Sequence, residues 1–121
     1  MNINHSNVNQ VIANATASDI GMALHIYGAA GQGKSEAIKT AAEAIKTTHY
    51  FEMATQRLDN IAEDSIIILN EVDAVLLKEM MKIFDMLKNQ PENSLVILIS
   101  NGDGEFLNQV MANRMLHLKW E

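Results

Sequence analysis

Residues Leu24–Ser35 read LHIYGAAGQGKS, an apolar run followed at once by Gly28, four residues, then Gly33, Lys34 and Ser35. This is a complete G-x-x-x-x-G-K-[ST] phosphate loop, and the spacing has a mechanism. Small residues let the chain curl so that backbone N–H groups converge on a phosphate, while Lys34 adds a point charge and Ser35 a hydroxyl for magnesium. The loop must follow a strand and open a helix, whose positive end adds to the anion site. Both contexts are present. Met22–Tyr27 reads as a buried strand, and SEAIKTAAEAIKTT after it places Ile38, Ala41, Ala42 and Ile45 on one helical face. The residues expected to line a nucleotide are therefore Gly28, Ala29, Ala30, Gly31, Gln32, Gly33, Lys34, Ser35 and Glu36.

Outward from the loop, the chain of 121 residues suits one domain, 1–121, with a single core. Apolar residues make up 48% and charged residues 20%, an ordinary globular composition. No apolar run approaches the length that spans a bilayer, and the first ten residues, MNINHSNVNQ, carry neither a basic patch nor a hydrophobic stretch of a secretory signal. The absence of cysteine excludes disulfides and thiolate metal sites and fits a cytoplasmic setting. A net charge of −6 with only nine Lys and Arg weighs against a freestanding nucleic-acid binder, so any DNA contact must come from a few residues multiplied by oligomerisation.

Taken in order, Val8, Val11, Ile12 and Ala15 recur at helical spacing and predict a short helix on the domain's edge. His49–Met53 reads as a short strand, and Ala54–Asp64 as an amphipathic turn or two with Leu58 and Ile61 inward. Ser65–Leu69 and Ser94–Ser100 are apolar without alternation, the mark of strands covered on both faces of a parallel sheet. Between them Leu76, Leu77, Met80, Ile83, Phe84 and Leu87 predict a helix over 74–89, stopping at Gln90-Pro91. Asn101–Gly104 reads as a loop, 105–113 as a short helix, and Met115–Trp120 as a last strand, with Trp120 packed at the sheet edge. Strands alternating with helices predict an α/β protein: a three-layer α/β/α P-loop NTPase fold with a five-stranded, mainly parallel sheet. In such sheets ligands sit outside the carboxyl ends of the strands, where the phosphate loop, Asn70-Glu71 and Ser100-Asn101 converge.

Phosphoryl transfer to water needs charge neutralisation, magnesium and a positioned water. Lys34 and Ser35 supply the first two, and Glu71, at the end of a neighbouring strand, stands where the third belongs. Asp73 reads as a cap for the helix beginning near Ala74. His5, His25, His49 and His117 are scattered with no metal-site spacing, and the Met residues, Met80, Met81 and Met86 among them, read as core or subunit-contact residues.

Across nearly its whole length the chain resembles the AAA+ ATPases, most nearly those of clamp loaders. GAAGQGKS resembles Walker A, IIILNEVD resembles Walker B, LVILISN resembles the strand carrying the sensor-1 polar residue, and Ala112-Asn113-Arg114-Met115 is similar to the Ser-Arg-Cys box holding an arginine finger. The resemblance implies ATP and Mg2+ as cofactors, with Glu71 as the catalytic glutamate, Asn101 sensing the γ-phosphate, and Arg114 reaching the nucleotide of an adjacent subunit. It implies a homo-oligomer, or a hetero-oligomer with other ATPase subunits, working on DNA or replication proteins as a clamp or helicase loader. There are three departures from that pattern. Asn70 replaces the Walker B aspartate and, alongside Ser35, would offer magnesium only a neutral oxygen, so metal binding and turnover are expected to weaken. Asn113 and Met115 flank Arg114 in place of Ser and Cys, and no helical lid follows Glu121. Intact Lys34, Ser35, Glu71 and Asn101 point to an ATPase, whereas Asn70 and the missing lid point to a nucleotide-dependent interaction or assembly module with little hydrolysis.

Overall fold

The computed structural model describes residues 2–18, 21–102 and 115–121. The predicted helix over 105–113 and Arg114 lie outside them. Six strands form one sheet in which every pairing is parallel: β1 Asn2–Ile3, β2 Met22–Gly28, β3 Thr48–Glu52, β4 Ile66–Asn70, β5 Leu95–Asn101 and β6 Leu116–Trp120. Their spatial order is β1-β6-β2-β5-β4-β3. The three α-helices among the described residues are α1 Val8–Thr16, α2 Lys34–Glu43 and α3 Leu77–Lys88.

The unbroken apolar runs have the expected cause. In β4, Ile66 and Ile68 face one core with Leu24, Ile26, Ile38 and Ile97, while Ile67 and Leu69 face a second with Val96, Leu98, Met80, Ile83 and Phe84. Helices α1 and α2 contribute to the first core and α3 to the second, which makes three layers. A strand buried on both faces needs apolar residues along its length, and none of the five residues of β4 is exposed.

The sheet has one strand more than the sequence reading. Asn2–Ile3 pairs with Lys119–Trp120, so β1 rather than β6 is the edge, and Trp120 is buried one strand inward. A two-residue strand leaves no periodic pattern to read. The segment 54–64 forms turns and irregular chain rather than helix, although Leu58 is buried as expected. The first helix after the loop ends at Glu43, so Ile45 lies beyond it and is exposed.

Helix α3 starts at Leu77, not near Ala74. Val72–Ala74 makes a 3-10 turn, and Val75 (φ −89°, ψ 153°) and Leu76 (φ −70°, ψ 153°) are extended, which interrupts the helical path. Leu76 and Leu77, expected on the buried face, are therefore 76% and 59% exposed. Met80 is buried and Met86 packs partly against the second core, but Met81 is exposed. No helix of the described residues is long and apolar enough to cross a membrane.

Gly28 ends the central strand where β6 passes close. A Cβ there would stand 3.0 Å from the Trp120 Cβ and 3.2 Å from its carbonyl oxygen, neither of which is a flexible tip. Gly28→Ala is expected to lower unfolding free energy by about 1–3 kcal/mol through this overpacking, read as a reduced urea midpoint with unchanged slope.

Candidate functional site: the phosphate loop and the strand ends around it

The loop leaves β2 at Gly28, and Ala29–Gly33 are exposed. Gly33 (φ 72°, ψ 17°) takes the left-handed conformation at the N-cap of α2, so the chain turns into the helix through a geometry that disfavours any side chain. The next residues, Lys34 and Ser35, open the helix. His5 braces the curl from outside: its Nε2–H donates to the Gln32 carbonyl at 3.1 Å, and its ring stands edge-on to Trp120 with centroids 5.0 Å apart. The sequence reading gave His5 no such role.

Inside the curl, the Lys34 ammonium donates to the Asn101 Oδ1 at 2.8 Å and to the Ala29 carbonyl at 3.2 Å. Lys34 as a residue is only 4% exposed. Burial pulls its pKa below the usual lysine value, and the carboxylates of Asp73 and Glu71 oppose that shift. These two carboxylates thus share an electrostatic neighbourhood with Lys34. Asp73 does not cap α3: its Oδ1 accepts the Asn101 backbone N–H at 3.4 Å, and Leu76 occupies the N-cap with no side-chain bond.

Glu71 follows β4 with φ 56° and ψ 47°, a left-handed conformation that costs a residue with a Cβ about 1–2 kcal/mol. Strain of this kind persists where surrounding structure holds a side chain at a required place. On the neighbouring strand, Asn101 is the last residue of β5, in register with Gly28 of β2, rather than the start of a loop.

Ser35 is tied to the next strand over. Its hydroxyl donates to the Asn70 Oδ1 at 3.2 Å, and the Asn70 Nδ2 donates to the Glu52 Oε1 at 2.8 Å. Tyr50 donates to the same oxygen at 2.5 Å, and burial, then the Glu52 carboxylate, raises its pKa above the ordinary phenol range. Sequence reasoning missed Glu52, which becomes visible only through the pairing of Glu52 with Asn70 across β3 and β4. The donor set suits magnesium: it takes oxygen ligands, keeps several waters and leans on substrate phosphates, so a hydroxyl, an amide oxygen and a nearby carboxylate are enough on the protein's side.

Beneath Asn101 lies a polar chain the sequence reading left as scattered histidines. His25 and His117 are register partners on β2 and β6, with Nδ1 atoms 2.9 Å apart, and the His25 Nε2 is 2.7 Å from the Ser100 hydroxyl. The Tyr27 ring is tilted against His25 with centroids 5.5 Å apart. His25 is fully buried, and burial, reinforced by His117, lowers its pKa to about 4. The native state therefore holds His25 neutral, while an unfolded chain accepts a proton near pH 6.5. This contribution is complete above pH 6.5, and stability falls with acidification, by about 2 kcal/mol at pH 5 and about 3 kcal/mol at pH 4. Urea midpoints at pH 7 and pH 5 measure it, and His25→Gln is expected to flatten that part of the profile.

Two open grooves flank the loop. One of about 450 Å3 is lined by His5, Val8, Gly33, Glu36 and Ala37 among others, and one of about 520 Å3 by Tyr27, Gly28, Gln32, Lys119 and Trp120 among others.

An α/β domain with an all-parallel sheet and its polar groups gathered at the strand ends is compatible with a P-loop NTPase-like fold. No family model matches the chain, and no curated protein matches it. Among solved structures it is similar to a chain of Drosophila ORC bound to DNA, with a TM-score of 0.60 and 10% sequence identity over 95% of this chain. The match covers 40% of the ORC chain, and at this identity the likeness is one of fold.

Proposed function

We propose that the chain binds ATP with magnesium through Gly28–Glu36 and hydrolyses it slowly, as a AAA+-type ATPase domain that works in an oligomer. The observation that carries this reading is the Lys34 ammonium held between Ala29 and Asn101, with Ser35 bonded to Asn70. The strand ends around one curl of backbone thus offer a cation, a hydroxyl and amide oxygens.

Lys34 exchanges its two carbonyl-type acceptors for phosphate oxygens. Asn101, released from Lys34, meets the terminal phosphate, and Glu71 orients water for attack. Ser35 and Asn70 would hold magnesium, which would supply charge neutralisation on the phosphates. Arg114 completes the site of a neighbouring subunit. The proposal includes work on DNA or replication proteins, in the manner of a clamp or helicase loader; the likeness of fold to a chain of Drosophila ORC bound to DNA is compatible with it.

A second reading has one observation in its favour. Asn70 gives magnesium a neutral oxygen where a carboxylate would serve the chemistry better, which suits a module that changes assembly state on binding ATP. Turnover and binding measured over a protein concentration series separate the two. Hydrolysis that rises more than linearly with protein, falls in Arg114→Ala, and returns when that variant is mixed with Glu71→Gln supports the oligomeric ATPase. Tight binding without turnover at any concentration selects the assembly module. Folded protein that binds no nucleotide overturns both.

A further inference from the structure

We propose that Glu52 is the positioning residue of the magnesium site, carrying one strand away the negative charge that Asn70 lacks. The inference rests on the reading of the loop as an ATP–magnesium site. Glu52 and Asn70 are the last residues of adjacent parallel strands and are paired in register, so their side chains meet at the end of the sheet where the loop lies.

An asparagine beside a cation has two ends, and only one is useful. Its oxygen attracts magnesium and its NH2 repels it. An ionised carboxylate accepts hydrogen bonds and donates none, so it captures the NH2 end. Glu52 does this at 2.8 Å, which leaves the Asn70 Oδ1 on Ser35 at 3.2 Å. Tyr50, bonded to the same carboxylate oxygen, holds Glu52 in place. Glu52 also polarises the amide it holds, raising the negative charge on its oxygen. The pair therefore has the formal charge of a single aspartate, with its carboxylate one hydrogen bond behind the oxygen that faces Ser35.

The test is the affinity of the full chain for ATP, titrated in magnesium and again in EDTA. The parent chain is expected to bind at least tenfold more tightly in magnesium. In Glu52→Gln that ratio should fall to threefold or less, because the new amide can engage either end of Asn70 and brings no charge. The double variant Glu52→Gln with Asn70→Asp returns the carboxylate to β4 and should restore the ratio, an outcome that a loss of folding cannot mimic. Tyr50→Phe keeps the charge but loosens its placement, and should give an intermediate ratio. A parent-like ratio in Glu52→Gln overturns the role of Glu52 and leaves the ATP site standing, as does failure of the double variant to recover. Absence of ATP binding in the folded parent chain overturns both.

Discussion

Lys34→Ala is expected to bind ATP at least thirtyfold more weakly than the parent chain in a calorimetric titration, with its melting temperature shifted by only a few degrees. Hydrogen bonds from an ammonium to phosphate are charge-assisted, and removing one partner of a buried charged contact costs about 2–5 kcal/mol, or roughly 30- to 5,000-fold in affinity. Without ligand the balance is different. Burial lowers the Lys34 pKa, so the fold holds this charge at a desolvation cost offset by its bonds to Ala29 and Asn101. Removing the side chain takes away the desolvation cost and leaves two acceptors without their donor, terms of about 1–3 kcal/mol with opposite sign. Lys34→Met, which keeps the bulk, should behave alike. An affinity loss of threefold or less would show that nucleotide phosphates do not sit in this curl.

Glu71→Gln is expected to reduce ATP turnover by a hundredfold or more while leaving ATP affinity within threefold of the parent. A positioned general base contributes about 100- to 10,000-fold, and glutamine is near in shape but cannot accept the proton. Because the substituted side chain would stand on the same left-handed backbone and match the original in size, stability should be unchanged, which separates the chemical effect from a folding defect. Steady-state phosphate release beside equilibrium binding measures both quantities. Equal turnover in the two proteins would remove Glu71 from the reaction.

Much of this site is legible in the sequence because its parts are local. The phosphate loop is a contiguous spacing, and the unbroken apolar runs 66–69 and 95–99 announce doubly buried strands whose ends must carry whatever is polar. Lys34, Ser35, Asn70 and Asn101 follow from those two facts, and the structure brings them together. What escaped depends on register or on very short segments. Glu52 meets Asn70 because β3 lies against β4 with residue 52 opposite 70, and the His25–His117 contact forms because β6 lies against β2 with residue 117 opposite 25. No spacing within one segment encodes either. Leu76 and Leu77 misled for a related reason: they continue a helical period, but the 3-10 turn and two extended residues before α3 break the phase.

The order of strands also bears on when the site comes into being. β2, which leads into the loop, is synthesised well before both of its neighbours in the sheet, β5 and β6. Long-range parallel pairing of this kind forms late and slowly. A nascent chain halted before Leu95 would display the loop sequence without the two strands that flank β2 in the sheet, so nucleotide could not act as a chaperone for the emerging protein. Competence to bind should therefore arise in one step after residues 95–120 are released, and a ribosome-stalling series scored for nucleotide capture should show a single abrupt onset.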